Sequence, residues 1–390
     1  MERSSHGLST LLEIVIEHID IPKSLYDRAA ARHRSLGEWL KRESSAVRHC
    51  KPDIRPQGSF RYGTVIRPIN KDDEYDLDNV CLLTTLGKLT MTQQQVKTLY
   101  GEEIKAYARE HGMLKPVEEH HRCWRLRYAD EVSFHLDTLP CVPEEAVLIQ
   151  RLVQAGVTEE LARRAVAITD RRHPQYEEIT MHWPSSNPRG FAAFFEQRAA
   201  LGLRRKLPDS EFRATLEDVP PYEWKTTLQR SIQLLKRHRD VMFRRSPELA
   251  PISMIITNLA ARAYEGETDI ATALMGIVDR MPNFVRADSP RVPNPADPAE
   301  DYADKWSRNQ RLEKSFRDWY YMVKSDLARL ARLLGTSEIR SAIDATFDVS
   351  PTRQELRILG ADGLSSTSVA ANLAPAFVIP SAAKPWGGHG

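Results

Sequence analysis

The sequence predicts an α+β protein in which a mixed sheet flanked by helices is followed by a helical lobe. Three observations predict it. Helix-like and strand-like patterns alternate through the N-terminal part of the chain. From about Thr158 onward the apolar residues repeat almost everywhere at helical spacing. The length of 390 residues suits two or three packed lobes better than one hydrophobic core.

The elements follow in order. Residues 8–50 read as helix: "LSTLLEIVIEHI" clusters its apolar positions, and "YDRAAARHRSLGEWLKRES" repeats at helical spacing, with Ser9 or Thr10 as a cap. Pro52 and Pro56 break the pattern. Residues 62–85 alternate loosely and contain a clear strand, "YDLDNVCLL". "TMTQQQVKTLYGEEIKAYAREHG" is a helix ending at Gly112. "HRCWRLRYADEVSFHLDTLPCV" gives two strands around a turn at Ala129-Asp130-Glu131.

Helices then follow in "TEELARRAVAITDRR", "NPRGFAAFFEQRAALG", "YEWKTTLQRSIQLLKRHRDVMF", "ISMIITNLAARAYEG" and "DIATALMGIVDRM". "SPRVPNPADP" is a loop, and "DYADKWSRNQRLEKSFRDWYYMVKSDLARLARLLG" is a long helix stopped by Gly335. The expected division is an N-terminal helix plus sheet core over 1–200, a helical lobe over 201–360 and a loose tail over 361–390.

Composition narrows the function classes. A net charge of +2 argues against a general DNA-coating protein, which carries a large positive excess, and leaves a nucleotide substrate open. Cys50, Cys81, Cys123 and Cys141 form no CxxC pair, so neither a cysteine zinc site nor a disulfide framework is expected, and reduced thiols fit the cytoplasm. His120-His121 with Cys123 has no tetrahedral metal spacing. The N-terminus lacks the layout of a signal peptide, and no apolar run is long enough for a membrane span.

Chemistry concentrates in the acidic residues. In "YDLDNV" the strand period of two puts Asp76 and Asp78 on one face and Tyr75 and Leu77 on the other. "SFHLDTLPCV" repeats this grammar, with His135 and Asp137 opposite Phe134 and Leu136. If the two strands are neighbours, three carboxylates meet and need cations to neutralise them. Two hard divalent ions, Mg²⁺ above all, would do so and would also bind substrate phosphates. Upstream, Gly58 allows close approach of backbone to phosphate, and Ser59 adds a hydroxyl.

The stretches "QGSFRYGTVIRP", "EYDLDNVCLL", "FHLDTLPCV", "LQRSIQLLKRHRD" and "DYADKW" together resemble the cGAS/DncV-like nucleotidyltransferases of bacterial CBASS anti-phage systems, within the polymerase-beta-like superfamily; the likeness spans roughly residues 8–350. The resemblance implies a nucleotidyltransferase core joined to an oligoadenylate-synthase-like helical lobe, with the active site in the cleft between them. It implies synthesis of a cyclic di- or trinucleotide from nucleoside triphosphates such as ATP or GTP, with two Mg²⁺ ions (Mn²⁺ able to substitute), and a downstream effector that responds to the messenger.

By the same resemblance Asp76, Asp78 and Asp137 are the catalytic, metal-binding acids. Gln57, Gly58 and Ser59 form the nucleotide-contacting turn, Tyr62 stacks on a base, and Lys236 and Ser253 hold the donor triphosphate. Read from the residues alone, Lys236 is equally a snorkelling surface lysine, Ser253 a helix cap, Tyr62 a core aromatic, and Arg237 and Arg239 a solvated basic face, with phosphate contact as the alternative. Trp306, Trp319, Tyr320 and Tyr321 are expected in the core. No zinc-thumb cluster is present in the sequence.

The tail "AAKPWGGHG" ends on Gly390, which is either a frayed terminus or a conjugation site for a ubiquitin-transfer-like partner. Rival activities are a linear-product nucleotidyltransferase of the RNA-tailing or oligoadenylate type, a toxin that nucleotidylates protein or tRNA, and a non-catalytic nucleotide sensor.

Overall fold

The computed structural model describes residues 2–70, 73–128, 134–204, 225–333 and 336–362. The expected turn at 129–131, the stop at Gly335 and the tail from 363 to Gly390 lie outside the described residues.

The sheet lobe opens with α2 (Lys23–Lys41), β1 (Pro52–Gln57), the short α3 (Gly58–Arg61) and β2 (Tyr75–Leu83), and continues through α4 (Gln93–Glu110), β3 (Glu118–Glu119), β4 (Trp124–Tyr128) and β5 (Phe134–Pro143). After α5 (Ala146–Gln154) and α6 (Glu159–Ala162) it closes with β6 (Val166–Ile168) and β7 (Ser185–Ser186). The strands run β1-β2-β5-β4-β3, and β6 and β7 extend the sheet from the far half of β5. β2 and β5 are parallel, whereas β1–β2, β4–β5 and β5–β6 are antiparallel, so the sheet is mixed.

Strand alternation divides the two faces. Leu77, Trp124, Leu126, Phe134 and Leu136 are buried with Leu25, Leu36, Val96, Tyr100 and Ile104 of α2 and α4. Each such aromatic or aliphatic side chain contributes roughly 1.5–3 kcal/mol by leaving water. The opposite face carries Asp76, Asp78, Arg125, Arg127, His135 and Asp137 and stays open. Thr92 caps α4 in a reciprocal capping box with Gln95.

The helical lobe contains α7 (Pro188–Arg204), α8 (Thr227–Met242), α9 (Ser253–Ala263), α10 (Ile270–Arg280), α11 (Gln310–Leu330), α12 (Thr336–Phe347) and α13 (Arg353–Asp362). A small hairpin, β8 (Pro293–Asn294) and β9 (Asp297–Asp301), occupies part of the expected loop. Helix α1 (Glu2–Ile19) was grouped with the sheet core in the expected division. It packs instead in the helical lobe, where Leu8, Leu12, Val15 and Ile19 are buried with Leu228, Ile232, Leu274 and Ile277. Asp20 to Pro22 carry no helix, and the chain crosses there to α2.

Several expectations change. The stretch read as the helix "TEELARRAVAITDRR" is the single turn α6 followed by strand β6, whose β-branched Val166 and Ile168 are buried against β5. "PDIRPQ" is strand β1 despite two prolines, because it is an edge strand. Helix α5 went unread. Ser9 and Thr10 lie inside α1 and do not cap it; the Ser9 hydroxyl donates to Asp269. The long helix begins at Gln310, after a short turn over Asp304–Ser307. Trp306 and Trp319 are buried and Tyr320 packs against the core, but Tyr321 is 68% exposed. Among the described residues no helix is long and apolar enough to cross a membrane.

Candidate active site

The parallel pairing of β2 with β5 sets Asp78 directly beside Asp137 and Asp76 beside His135. Paired residues of neighbouring strands project to the same side, so all three acids share the open face. Crowding raises the Asp78 carboxyl to about 7: burial is the first cause, and the charges of Asp76 and Asp137 add to it. The Asp78 carboxyl makes no hydrogen bond or ion pair with the described residues.

Its two neighbours are engaged. Arg125 on β4 grips Asp137 through Nε–Oδ1 and Nη2–Oδ2, both 2.7 Å. His135 bridges Glu74, at 3.1 Å from Nδ1, and Asp76, on Nε2. Burial pushes the Asp76 carboxyl up, but the bond and charge of His135 outweigh it and leave it below its ordinary value. His135 is raised in turn, its Asp76 contact overcoming desolvation.

Among the described residues no three His, Cys, Asp or Glu side chains converge as a ready metal cluster. The donor set nevertheless suits a hard divalent cation, since it offers three carboxylates and Asp78 has no positive partner of its own. Arg125 and His135 supply the neutralising charge that such an ion would otherwise bring.

The turn before β2 is built around Gly58, whose φ is +66°; a Cβ there would lie 2.3 Å from Asp78 Oδ2. Gln57 pairs with Asp78 across the β1–β2 ladder. Ser59 follows on α3 and faces a cleft of about 350 Å³ shared with Asp76, Lys236, Arg239 and Ser253. Residues from both lobes thus meet at one place.

Helix α8 fixes the segment that follows Ser59. Gln229 Nε2 donates to Tyr62 O at 2.9 Å, Lys236 Nζ to Thr64 O at 2.9 Å, Gln233 Nε2 to Val65 O at 2.8 Å and Arg237 Nη2 to Arg67 O at 2.7 Å. Helical spacing puts these four donors on one face. The Gln229 carbonyl also accepts from the Thr226 amide and completes a capping box, so one side chain ends the helix and holds the turn.

Lys236 is 5% exposed and not snorkelling. Burial lowers its ammonium to about 8, with Arg239 adding repulsion. Arg237 and Arg239 are not a solvated face either: Arg237 is buried, and Arg239 Nη1 donates to Ser253 Oγ at 3.1 Å and to Pro251 O at 2.9 Å. Ser253 is the first residue of α9 and not its cap, since Ile252 occupies that position.

Residues 52–140 match the model of the "Cyclic GMP-AMP synthase DncV-like, nucleotidyltransferase domain". Residues 52–140 are a DncV-like nucleotidyltransferase domain. The expected resemblance is therefore borne out at the segment that carries Asp76, Asp78 and Asp137.

Relatives extend the likeness beyond that domain. A "c-di-GMP synthase" of Roseivirga ehrenbergii is 28% identical over 349 residues, covering 88% of this chain and 85% of the relative. The "Cyclic dinucleotide synthase CdnG" of Bradyrhizobium diazoefficiens is 24% identical over 332 residues, covering 79% of this chain and 72% of the relative. The solved structure of the latter organism's CdnG in complex with GTP superposes with a TM-score of 0.63 at 20% identity, covering 90% of this chain and 98% of that one. Vibrio cholerae DncV in complex with the linear intermediate 5′ pppA(3′,5′)pG gives 0.51 at 14%, covering 91% and 88%. The α+β fold, a mixed sheet joined to a helical lobe, is the fold of these solved structures.

Within the nucleotidyltransferase domain the predicted residues do not all converge. Tyr62 is 4% exposed and packs on Phe191 and Phe195, with ring centroids 5.3 and 5.1 Å away. Its ring has no free face for a base, and the core reading is the one the geometry matches. Arg125 and Glu74 were missed. The strand "WRLRY" held the signal, because its period of two sets Arg125 and Arg127 opposite Trp124 and Leu126, on the face of the acids.

Proposed function

We propose that this nucleotidyltransferase is a cyclic oligonucleotide synthase that joins nucleoside triphosphates into a cyclic di- or trinucleotide and releases pyrophosphate. The observation that carries the reading is the single cleft in which Ser59 and Asp76 of one lobe face Lys236 and Ser253 of the other. The names of the two relatives support a cyclic dinucleotide product and make GTP the first substrate to test.

The donor's triphosphate lies against Ser59, Lys236 and Ser253, with Gln57 and Gly58 shaping the turn beneath it. Lys236 and Arg239 offset its charge, and the α8 ladder keeps the turn in register. An acceptor ribose hydroxyl lies by Asp137, whose carboxylate takes the proton. The hydroxyl oxygen bonds to the donor's α-phosphorus, the α–β bridging bond breaks, and pyrophosphate leaves with the electron pair. A second attack by the linear product's free hydroxyl closes the ring. Asp76, Asp78 and Asp137 would hold two Mg²⁺ (or Mn²⁺) ions, which would lower the hydroxyl's pKa and stabilise the leaving pyrophosphate. Positioning and charge neutralisation supply most of the rate in such chemistry.

The setting is cytoplasmic CBASS-type anti-phage signalling, in which the product activates an effector. Incubation with the four nucleotides and Mg²⁺, followed by phosphatase and mass spectrometry, tests the activity. A phosphatase-resistant product, lost in the Asp76→Ala/Asp78→Ala variant, is expected. Only phosphatase-sensitive chains, or label on protein or tRNA, would reject cyclisation.

A further inference from the structure

A second cavity, of about 620 Å³, lies between the loop that leads into β4, the loop after β6 and the turn before α11. It shares no lining residue with the cleft of Ser59 and Lys236. Among the described residues its wall carries Arg122, Arg172, Lys305 and Arg308, with Asp304 as the one acid and two histidines, His120 and His121, at its edge.

The cationic wall is held from beneath. Asp170, its side chain 8% exposed, accepts from Arg122 Nε at 2.8 Å and from Arg172 Nε and Nη2 at 3.3 Å. Burial pushes the Asp170 carboxyl up, but the bonds from Arg172 and Arg122 outweigh it and keep the group ionised well below the usual carboxylate range. One buried carboxylate therefore orients two guanidinium groups while leaving donors of each unused. Lys97, its side chain 0% exposed, donates to the carbonyls of His120 and His121 and pins the loop that presents Arg122. Lys305 and Arg308 have no ion-pair partner among the described residues. Even with Asp170 and Asp304 counted, positive charge is in surplus.

Two guanidinium groups held on one carboxylate, beside Lys305 and Arg308 without ion-pair partners among the described residues, in a concave site of ligand size, suit a compact multiply charged anion. A flat track for a long nucleic acid would need cations spread along a surface. Three residues past Arg122, Arg125 grips Asp137, so the cavity opens beside the lead-in to the strand that neutralises the acidic face.

We propose that this cavity is a second anion site that takes the linear polyphosphate group of a nucleotide. It rests on the nucleotidyltransferase reading only for the identity of the ligand. Without Mg²⁺, calorimetric titration with tripolyphosphate should find two equivalents per chain, and a non-hydrolysable GTP analogue should compete for both. Lys305→Ala/Arg308→Ala should remove one equivalent, or weaken it about tenfold or more, as loss of charge-assisted bonds does. Lys236→Ala should remove the other and leave this one. Lys305→Arg/Arg308→Lys should restore it, which a merely folded-state effect would not.

Three results would overturn the proposal: the same stoichiometry in wild type and the double alanine variant at equal melting temperature, displacement of the second equivalent by a cyclic dinucleotide, or a short DNA duplex bound at the cavity that tripolyphosphate cannot displace. Binding is read without turnover, so a second equivalent with no cyclic product would reject the proposed activity alone. A cyclic product with one equivalent would reject this site alone.

Discussion

Arg125 holds Asp137 by two parallel hydrogen bonds of 2.7 Å across the β4–β5 ladder. The guanidinium occupies the carboxylate that a divalent cation would need, so it acts as a competitor as well as a neutraliser. Arg125→Ala should therefore lower the Mg²⁺ concentration that half-saturates pyrophosphate release, while Asp137→Asn abolishes release. An unchanged or higher half-saturating concentration in Arg125→Ala would show that the arginine does not compete.

Asp78 should make metal-free stability fall with pH. Its carboxyl stands near 7 in the folded chain, against 3.8 ordinarily. The folded state therefore keeps a proton that the unfolded state gives up, and stability is lost as pH rises between those values. The metal-free melting temperature should drop across that window, by about 2 °C or more for each kcal/mol involved, and Mg²⁺ should restore it at pH 8 by binding the folded state. Asp78→Asn should flatten the profile and be inactive. A wild-type profile that is already flat would remove the electrostatic account of the acidic face.

Lys236 predicts a different pH signature. Its ammonium stands near 8 instead of 10.5 because it is buried beside Arg239. The charge that attracts phosphate is present below that value and lost above it. kcat/KM for the nucleotide should thus decline above about pH 8, whereas kcat at saturation should persist to higher pH, because bound phosphate favours the ammonium. Lys236→Arg, which does not titrate there, should hold kcat/KM level over the same range. A parallel decline in that variant would place the titrating group elsewhere.

The α8 ladder can be tested one donor at a time. Gln229→Leu and Gln233→Leu strand the buried carbonyls of Tyr62 and Val65, at about 1–3 kcal/mol each. Both should speed hydrogen exchange through residues 58–67 and raise KM more than they lower kcat. Gly63→Ala should do the same: φ there is +63°, and a Cβ would lie 2.6 Å from the Gln229 amide nitrogen. Exchange confined to α8 itself would show that the ladder does not support the turn.

The acids were legible because a strand has a period of two and because Asp is rare enough in strands to require a reason. The Gly-Ser turn was legible for a similar reason. Strand β1 was hidden by Pro52 and Pro56, which the pattern treats as breakers although an edge strand tolerates them. The three residues of β6 are too few to show a period beside the charged turn of α6. Arg125 carried a readable alternation, but its partner lay on another strand, and pairing is not written in local spacing. The surroundings of Tyr62, Lys236 and Ser253 depend on contacts between lobes, which no single stretch displays.

The packing of α1 bears on the order in which the molecule is made. Its apolar stripe leaves the ribosome well before α8 and α10, against which it closes and which end at Met242 and Arg280. At about 5–20 residues per second, that stripe waits on the order of ten seconds or more for its partners. A helper that shields nascent chains would find its natural target there, and the sheet lobe, whose strands are complete by Ser186, would mature before the segment that precedes it in the chain.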